Sequence, residues 1–343
     1  MFRAVRLVLA LVVCIAMSAC VPGGGSSDVV RSRADQRDVP VHTTLSLYAY
    51  AVPKVAYDEL VPAYQRTAAG QGVEIQQSYG ASGDQSRKVA SGAQADIVNF
   101  SVTPDITRLV DAGLVDPAWE SGAHRGIPFG SVVTLVVREG NPKNIRDWDD
   151  LLRPDVEVVT PNPFSSGAAK WNLLAPYAAK SDGGRDPQAG LDFVQRLVHE
   201  QVKLQPKSGR EATEAFLQGS GDVLLSYENE ALFIERKGDP VEHVTPGVTF
   251  RIDNPAAVVA TSPNAEQAKA FLDYVHSVEG QRILAEAGFR PSDPDVAADF
   301  AAQFPEPEKL WTIDDLGGWK VVDRDLFKPG SGTIATIYES AGR

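Results

Sequence analysis

The chain has 343 residues, long enough for two domains or one large one. With 43% apolar and 23% charged residues it has the balance of a folded protein, not of a disordered one. Lysine and arginine number 33 against 45 aspartates and glutamates, a net charge of −12 that argues against nucleic-acid binding, which needs clustered positive charge. Both cysteines, Cys14 and Cys20, fall near the N-terminus, so the rest of the chain holds no disulfide and no thiolate zinc site, and no cofactor motif suggests itself.

Residues 1–19 read as a signal peptide. Arg3 and Arg6 precede an apolar run from Leu7 to Met17, and the small residues Ser18 and Ala19 follow. The run is too short to span a bilayer comfortably. Small residues abutting Cys20 resemble a bacterial lipobox, which makes Cys20 the expected lipidation site; an ordinary signal peptide that carries a cysteine is the alternative. Residues 20–40, rich in Gly, Ser and charges with no hydrophobic period, read as a flexible tether that holds a domain off a membrane. The expected location is therefore the outer face of the cytoplasmic membrane, with attachment through lipid.

From residue 41 the chain alternates apolar strands with amphipathic helices, the α/β pattern. Strands are expected at Thr44–Tyr48, Val73–Gln77, Asp96–Phe100, Val132–Val137, Val156–Thr160, Val202–Gln205, Val223–Ser226 and Ala256–Ala260. Helices are expected at Val55–Gln65, Asp84–Ala90, Ala168–Ala179, Pro187–His199, Glu211–Leu217 and, as one long element, Ala265–Ala287.

Three strand-to-helix junctions share a local pattern: Ser82-Gly83, Ser166-Gly167 and Ser208-Gly209. In each, a serine stands where an N-cap belongs and a glycine allows close approach to the backbone. A helix start carries unpaired N–H groups and the positive end of the helix dipole, so it suits an anion. Ser-Gly is also a common way to begin any helix, and one junction would mean little. Three of them at strand ends of an α/β chain, where open parallel sheets bind ligands, give the two readings equal weight.

Enzyme signatures are absent: there is no phosphate-binding loop, no dinucleotide fingerprint, no G-x-S-x-G and no H-E-x-x-H. The five histidines are scattered. Ser166 and Lys170 are spaced i, i+4, which does not match the S-x-x-K pattern of serine–lysine catalysis.

Several stretches together resemble the sulfate-binding proteins that deliver anion to bacterial ABC importers. They are Tyr79-Gly80-Ala81-Ser82-Gly83-Asp84-Gln85, Gly140-Asn141-Pro142-Lys143 with Trp148, Thr160-Pro161-Asn162-Pro163 through Trp171-Asn172, Gly221-Asp222-Val223-Leu224, Glu228-Asn229-Glu230-Ala231 and Gly317-Gly318-Trp319. The resemblance, which spans about residues 43 to 338, implies a two-lobed periplasmic-binding-protein-like clamp with two hinge crossovers. Lobe one would be residues 41–130 plus 250–343, and lobe two residues 131–249. It implies a dehydrated sulfate held by neutral donors, which fall by position on Ser82, Ser166, Gly167, Ala168, Gly209 and Tyr227, with Gly83 and Arg210 behind them. Tyr227 stands where the family usually has a tryptophan, Ala168 replaces a glycine, and Ala51-Val52 replace Tyr-Asp ahead of Pro53.

The resemblance further implies a monomeric, non-enzymatic carrier that meets membrane permease subunits of an importer. The same clamp tuned to thiosulfate or molybdate is one alternative. A secreted serine hydrolase using Ser166 is a rival from another class, and it needs a His or Lys base within reach of that serine.

Overall fold

The computed structural model describes residues 42–342. The signal peptide, Cys20 and the tether lie outside the described residues.

The first part of the chain runs β1 (Thr43–Tyr50), α1 (Lys54–Gln65), β2 (Val73–Gly80), α2 (Ser82–Ala90), β3 (Ile97–Asn99) and α3 (Thr103–Asp111). There follow β4 (Phe129–Arg138), β5 (Val158–Val159), α4 (Gly167–Lys180), α5 (Pro187–Arg196), β6 (Val202–Leu204), α6 (Gly209–Leu217), β7 (Val223–Tyr227), α7 (Glu228–Arg236), β8 (Val241–Val244) and β9 (Val248–Asn254). The chain then forms β10 (Ala256–Val258), α8 (Ala265–Val275), α9 (Val278–Glu286), β11 (Arg290–Pro291), α10 (Pro294–Asp299), β12 (Lys309–Trp311), α11 (Trp319–Val322) and α12 (Thr333–Ser340).

These strands build two sheets, of order β10-β3-β1-β2 and β12-β9-β4-β7-β5-β6, with β8 and β11 also paired to β4. In the first sheet β1 runs parallel to both β2 and β3, and β10 closes the edge antiparallel to β3. Leu45, Leu47 and Ala49 of β1 are fully buried, as expected for a central strand covered by helices. Because β3, β1 and β2 are parallel, their carboxyl ends share one edge, and Ser82 and Ser101 follow there. Helix α1 is tied to this sheet by the Tyr57 hydroxyl, which donates to the Asn99 side chain of β3 at 3.2 Å, and to α8 by Tyr57 and Tyr64, whose rings meet Phe271 at 6.2 and 5.1 Å. In the second sheet β4 and β9 lie side by side, with Phe129 opposite Asn254 and Gly130 opposite Asp253. The two chain passages between the sheets are thus adjacent.

Two expectations need correction. The long helix over 265–287 is two helices, broken at His276 and Ser277. The Ser277 hydroxyl accepts from the Gly280 amide at 3.2 Å and so starts α9 anew. A side chain at Gly280 would meet the Tyr274 carbonyl at 2.3 Å, so glycine is what permits this tight join. The second correction concerns the C-terminal stretch expected in lobe one. Strand β12 pairs with β9 in the second sheet, and Trp319 packs edge-on against Trp171 of α4 at 4.7 Å. Lys170 of α4 meets Asp323 at 2.5 Å, and His199, just beyond α5, reaches the Ile337 carbonyl at 3.1 Å. Buried aromatic area and these bonds fix residues 309–342 to the second sheet's helices.

Candidate functional site

The three Ser-Gly junctions meet. The Gly83 amide donates to the Ser165 carbonyl at 3.0 Å, which joins the start of α2 to the turn before α4. A Cβ placed on Gly167 would stand 2.8 Å from the Ser101 Cβ and 3.0 Å from its hydroxyl, so α4 begins against the segment just past the end of β3. A Cβ on Gly209 would stand 3.3 Å from Val52 and 3.6 Å from Ala168, which brings α6 to the same place. Ser82, Ser166, Ala168 and Tyr227 are all buried.

The local geometry differs among the three. Ser208 caps α6, its hydroxyl accepting from the Glu211 amide at 3.2 Å. Ser166 is the N-cap of α4 in extended conformation, and its hydroxyl makes no cap bond. Ser82 is not a cap, as the pattern suggested; Ala81 holds that position and Ser82 is the first helical residue. The Ser82 hydroxyl donates to Asp105 at 2.6 Å and accepts from the Ser101 amide at 3.0 Å. Its proton is committed, and the group it offers to the junction is the backbone N–H. The amides of Ser82, Gly167, Ala168 and Gly209 find no carbonyl partner among the described residues, as first-turn N–H groups must unless something else caps them.

Tyr227, the last residue of β7, brings a hydroxyl 2.6 Å from the Ser101 hydroxyl. Burial holds its pKa well above the ordinary phenol value, so it stays a neutral donor. Ser101 is the hub that sequence reading did not single out. Its carbonyl accepts from the Trp171 indole at 2.7 Å and from the Asn254 amide at 3.2 Å. A serine following a strand and leading to Thr103-Pro104 at a helix start is the signal that marks it.

The nearby cations are engaged elsewhere. Arg210 lies 3.1 Å from Glu230, which is 1% exposed, and its guanidinium sits 4.7 Å over the Phe233 ring. Burial raises the Glu230 pKa, an effect that Arg210 opposes. Lys170 is bound to Asp323. The junction thus offers oriented N–H and O–H groups, with Arg87, paired with Asp84, and the exposed Lys207 at its border. Beside it lies a groove of about 490 Å³ bordered by Gly80, Ala81, Arg87 and Lys207. A cleft of about 1290 Å³ runs past Thr103, Arg108 and Trp319.

No helix of the described residues is long and apolar enough to cross a membrane. No group of three or more His, Cys, Asp or Glu side chains among them is placed to hold a metal ion.

Comparison with known proteins gives a consistent picture. Residues 45–290 match the model of the family described as bacterial extracellular solute-binding protein. The sulfate-binding protein of Synechococcus elongatus is 37% identical over 344 residues, covering 98% of this chain and 96% of that protein. The thiosulfate-binding protein of Pseudomonas aeruginosa is 36% identical, covering 84% of this chain and 90% of its own. Among solved structures, the sulfate-binding protein SubI from Mycobacterium tuberculosis H37Rv is 64% identical, with a TM-score of 0.83 over 84% of this chain and 100% of that one. The two-sheet α/β architecture, the converging helix starts and these matches lead to one conclusion: the chain belongs to the bacterial extracellular solute-binding proteins.

Proposed function

We propose that this protein captures sulfate outside the cytoplasm, holds it between the halves built on its two sheets, and delivers it to the permease subunits of an ABC importer. The observation that carries the proposal is the meeting of three helix starts at Ser82, Gly167 and Gly209 with their amides unpaired. Their donors, with the hydroxyls of Ser166 and Tyr227 and the amide of Ala168, would surround one small anion. Gly83 and Arg210 sit behind them and hold the arrangement. Residues 1–19 direct export, and Cys20 carries the lipid from which residues 20–40 tether a monomeric carrier. One half is the first sheet with the helices that cover it, and the other is the second sheet with residues 309–342 packed on it.

Neutral donors suit the task. Each hydrogen bond to a charged group contributes about 1.5–3 kcal/mol, and roughly six of them offset the dehydration of a dianion. They leave a complex of about −8 kcal/mol or better, which is micromolar or tighter. Selectivity follows from protons. Sulfate carries none at neutral pH, so donors alone satisfy it, whereas hydrogen phosphate brings an O–H whose burial without an acceptor costs about 1–3 kcal/mol. Calorimetry with both anions near pH 7 tests this: sulfate should bind and phosphate should bind much more weakly, and equal affinities would overturn the selectivity argument.

Thiosulfate is the second reading, favoured by the near-equal identity of the thiosulfate-binding relative; competition between the two anions for one site separates them. Molybdate differs mainly in size and is tested in the same competition. A hydrolase built on Ser166 gains no support. Of the described histidines placed by a contact, His124 and His276 stack on each other, His199 bonds the C-terminal helix and His243 pairs with Glu235.

A further inference from the structure

At the junction one buried donor has no partner. Tyr50 is the last residue of β1, the strand that lies between β2 and β3 in the first sheet. It is paired in register with Gly80, two residues before Ser82, while Ala49 faces both Tyr79 and Asn99, the latter two residues before Ser101. Tyr50 therefore stands at the carboxyl edge of the sheet, between the strands that lead to Ser82 and Ser101. Two residues on, Val52 touches the start of α6 at Gly209. Tyr50 is 3% exposed, and its hydroxyl makes no hydrogen bond among the described residues.

Buried tyrosine hydroxyls ordinarily find a partner, because leaving one unpaired forfeits its hydration for nothing. Where a native protein keeps such a group, an absent ion or water is the first explanation to consider. We infer that the Tyr50 hydroxyl is a further donor to the bound oxyanion, completing the cradle from the floor of the first sheet. The inference rests on the anion-binding reading of the junction. The neighbouring titratable groups agree with the placement. Burial keeps the Tyr50 pKa well above its ordinary value, and Tyr227, Tyr57 and Glu230 act on it in the same sense, which sets its hydroxyl among the groups of the site. It stays protonated across the physiological range and can only add to the donor count. Tyr57 is not equivalent, since its hydroxyl already donates to the Asn99 side chain at 3.2 Å.

The competing acceptor is the Glu230 carboxylate, whose oxygens are also buried and lack a hydrogen-bonding partner in the required geometry. Calorimetry with sulfate on the wild-type protein and on Tyr50→Phe, paired with thermal melts without anion, distinguishes the two. A donor to the anion predicts about 10- to 100-fold weaker binding in Tyr50→Phe, with the anion-free melting temperature unchanged or higher because the phenyl ring fills the same space. Unchanged affinity with a lowered anion-free melting temperature would assign the hydroxyl to Glu230 and overturn the inference. Should wild-type protein itself fail to bind sulfate or thiosulfate, the anion-binding reading falls first, a result distinct from failure of the Tyr50 assignment alone.

Discussion

Gly167 offers a sharp test of the junction because its neighbour cannot yield. A methyl group there would lie 2.8 Å from the Ser101 Cβ, 3.0 Å from its hydroxyl and 3.0 Å from Val102, where ordinary contact begins at 3.4 Å. The start of α4 and Ser101 would have to separate by about 0.6 Å. Ser101 is held on every side: its amide by the Ser82 hydroxyl at 3.0 Å, its carbonyl by Trp171 at 2.7 Å, and its hydroxyl by Tyr227 at 2.6 Å. Overpacking of this kind costs about 1–3 kcal/mol, equivalent to about 5- to 150-fold in affinity. The backbone at Gly167 is not left-handed, so alanine brings no conformational strain and at most adds about 1 kcal/mol of helix propensity. On the reading that the two halves close on the anion and part without it, Gly167→Ala is expected to bind sulfate less tightly by that factor, while the protein without anion, free to open, should melt no earlier than wild type. Titration calorimetry and melts with and without sulfate read both quantities. Binding as tight as wild type would refute the claim that these two segments close on each other around the ligand.

Related changes should rank by the space available. Gly83→Ala meets the Ser165 carbonyl at 3.0 Å and should weaken binding less than Gly167→Ala; Gly209→Ala, with 3.3 Å to Val52, should be the mildest of the three. Tyr227→Phe removes the contact to Ser101 and a neutral donor, and a loss of about tenfold or more in sulfate affinity is expected, read by the same calorimetry. Arg210→Met strands the buried Glu230 carboxylate and should destabilise the fold by about 3 kcal/mol in urea denaturation. Adding Glu230→Gln should recover most of that loss, and a double variant no more stable than the single one would contradict the pairing. The stacked rings of His124 and His276, 4.4 Å apart, give a pH dependence. Burial, reinforced by His124, lowers the His276 pKa to about 4, so the unfolded chain takes up the proton more readily. Stability should be intact above pH 6.5 and fall by about 1–3 kcal/mol between there and pH 4. In melts over that range, His276→Gln should flatten the acid limb.

Much of the frame was legible because its signals are local. All eight expected strands are present, though β5 is reduced to Val158–Val159, and each Ser-Gly junction opens a helix within one residue of the serine. What escaped is non-local or masked. Strand β9 does alternate, with Val248, Phe250 and Ile252 between Thr249, Arg251 and Asp253, but two charges in a short run give it the look of a loop; in the fold they pair with each other at 3.0 Å. The apolar face of α8 continues into α9, so periodicity alone runs through the break at His276. Ser101 and Tyr50 matter only through partners brought together by the fold: 126 residues separate Ser101 from Tyr227. No window of sequence holds both. The attachment of residues 309–342 to the second sheet is likewise set by tertiary packing of Trp319 on Trp171, which no period announces.

Selenate has the shape and charge of sulfate and scatters anomalously, so a crystal grown with it locates the anion without ambiguity. The account predicts one anomalous peak within hydrogen-bonding distance of the amides of Ser82, Gly167 and Gly209 and of the Tyr227 hydroxyl. A peak confined to the groove beside Arg87 and Lys207, or no peak at all at millimolar selenate, would contradict it.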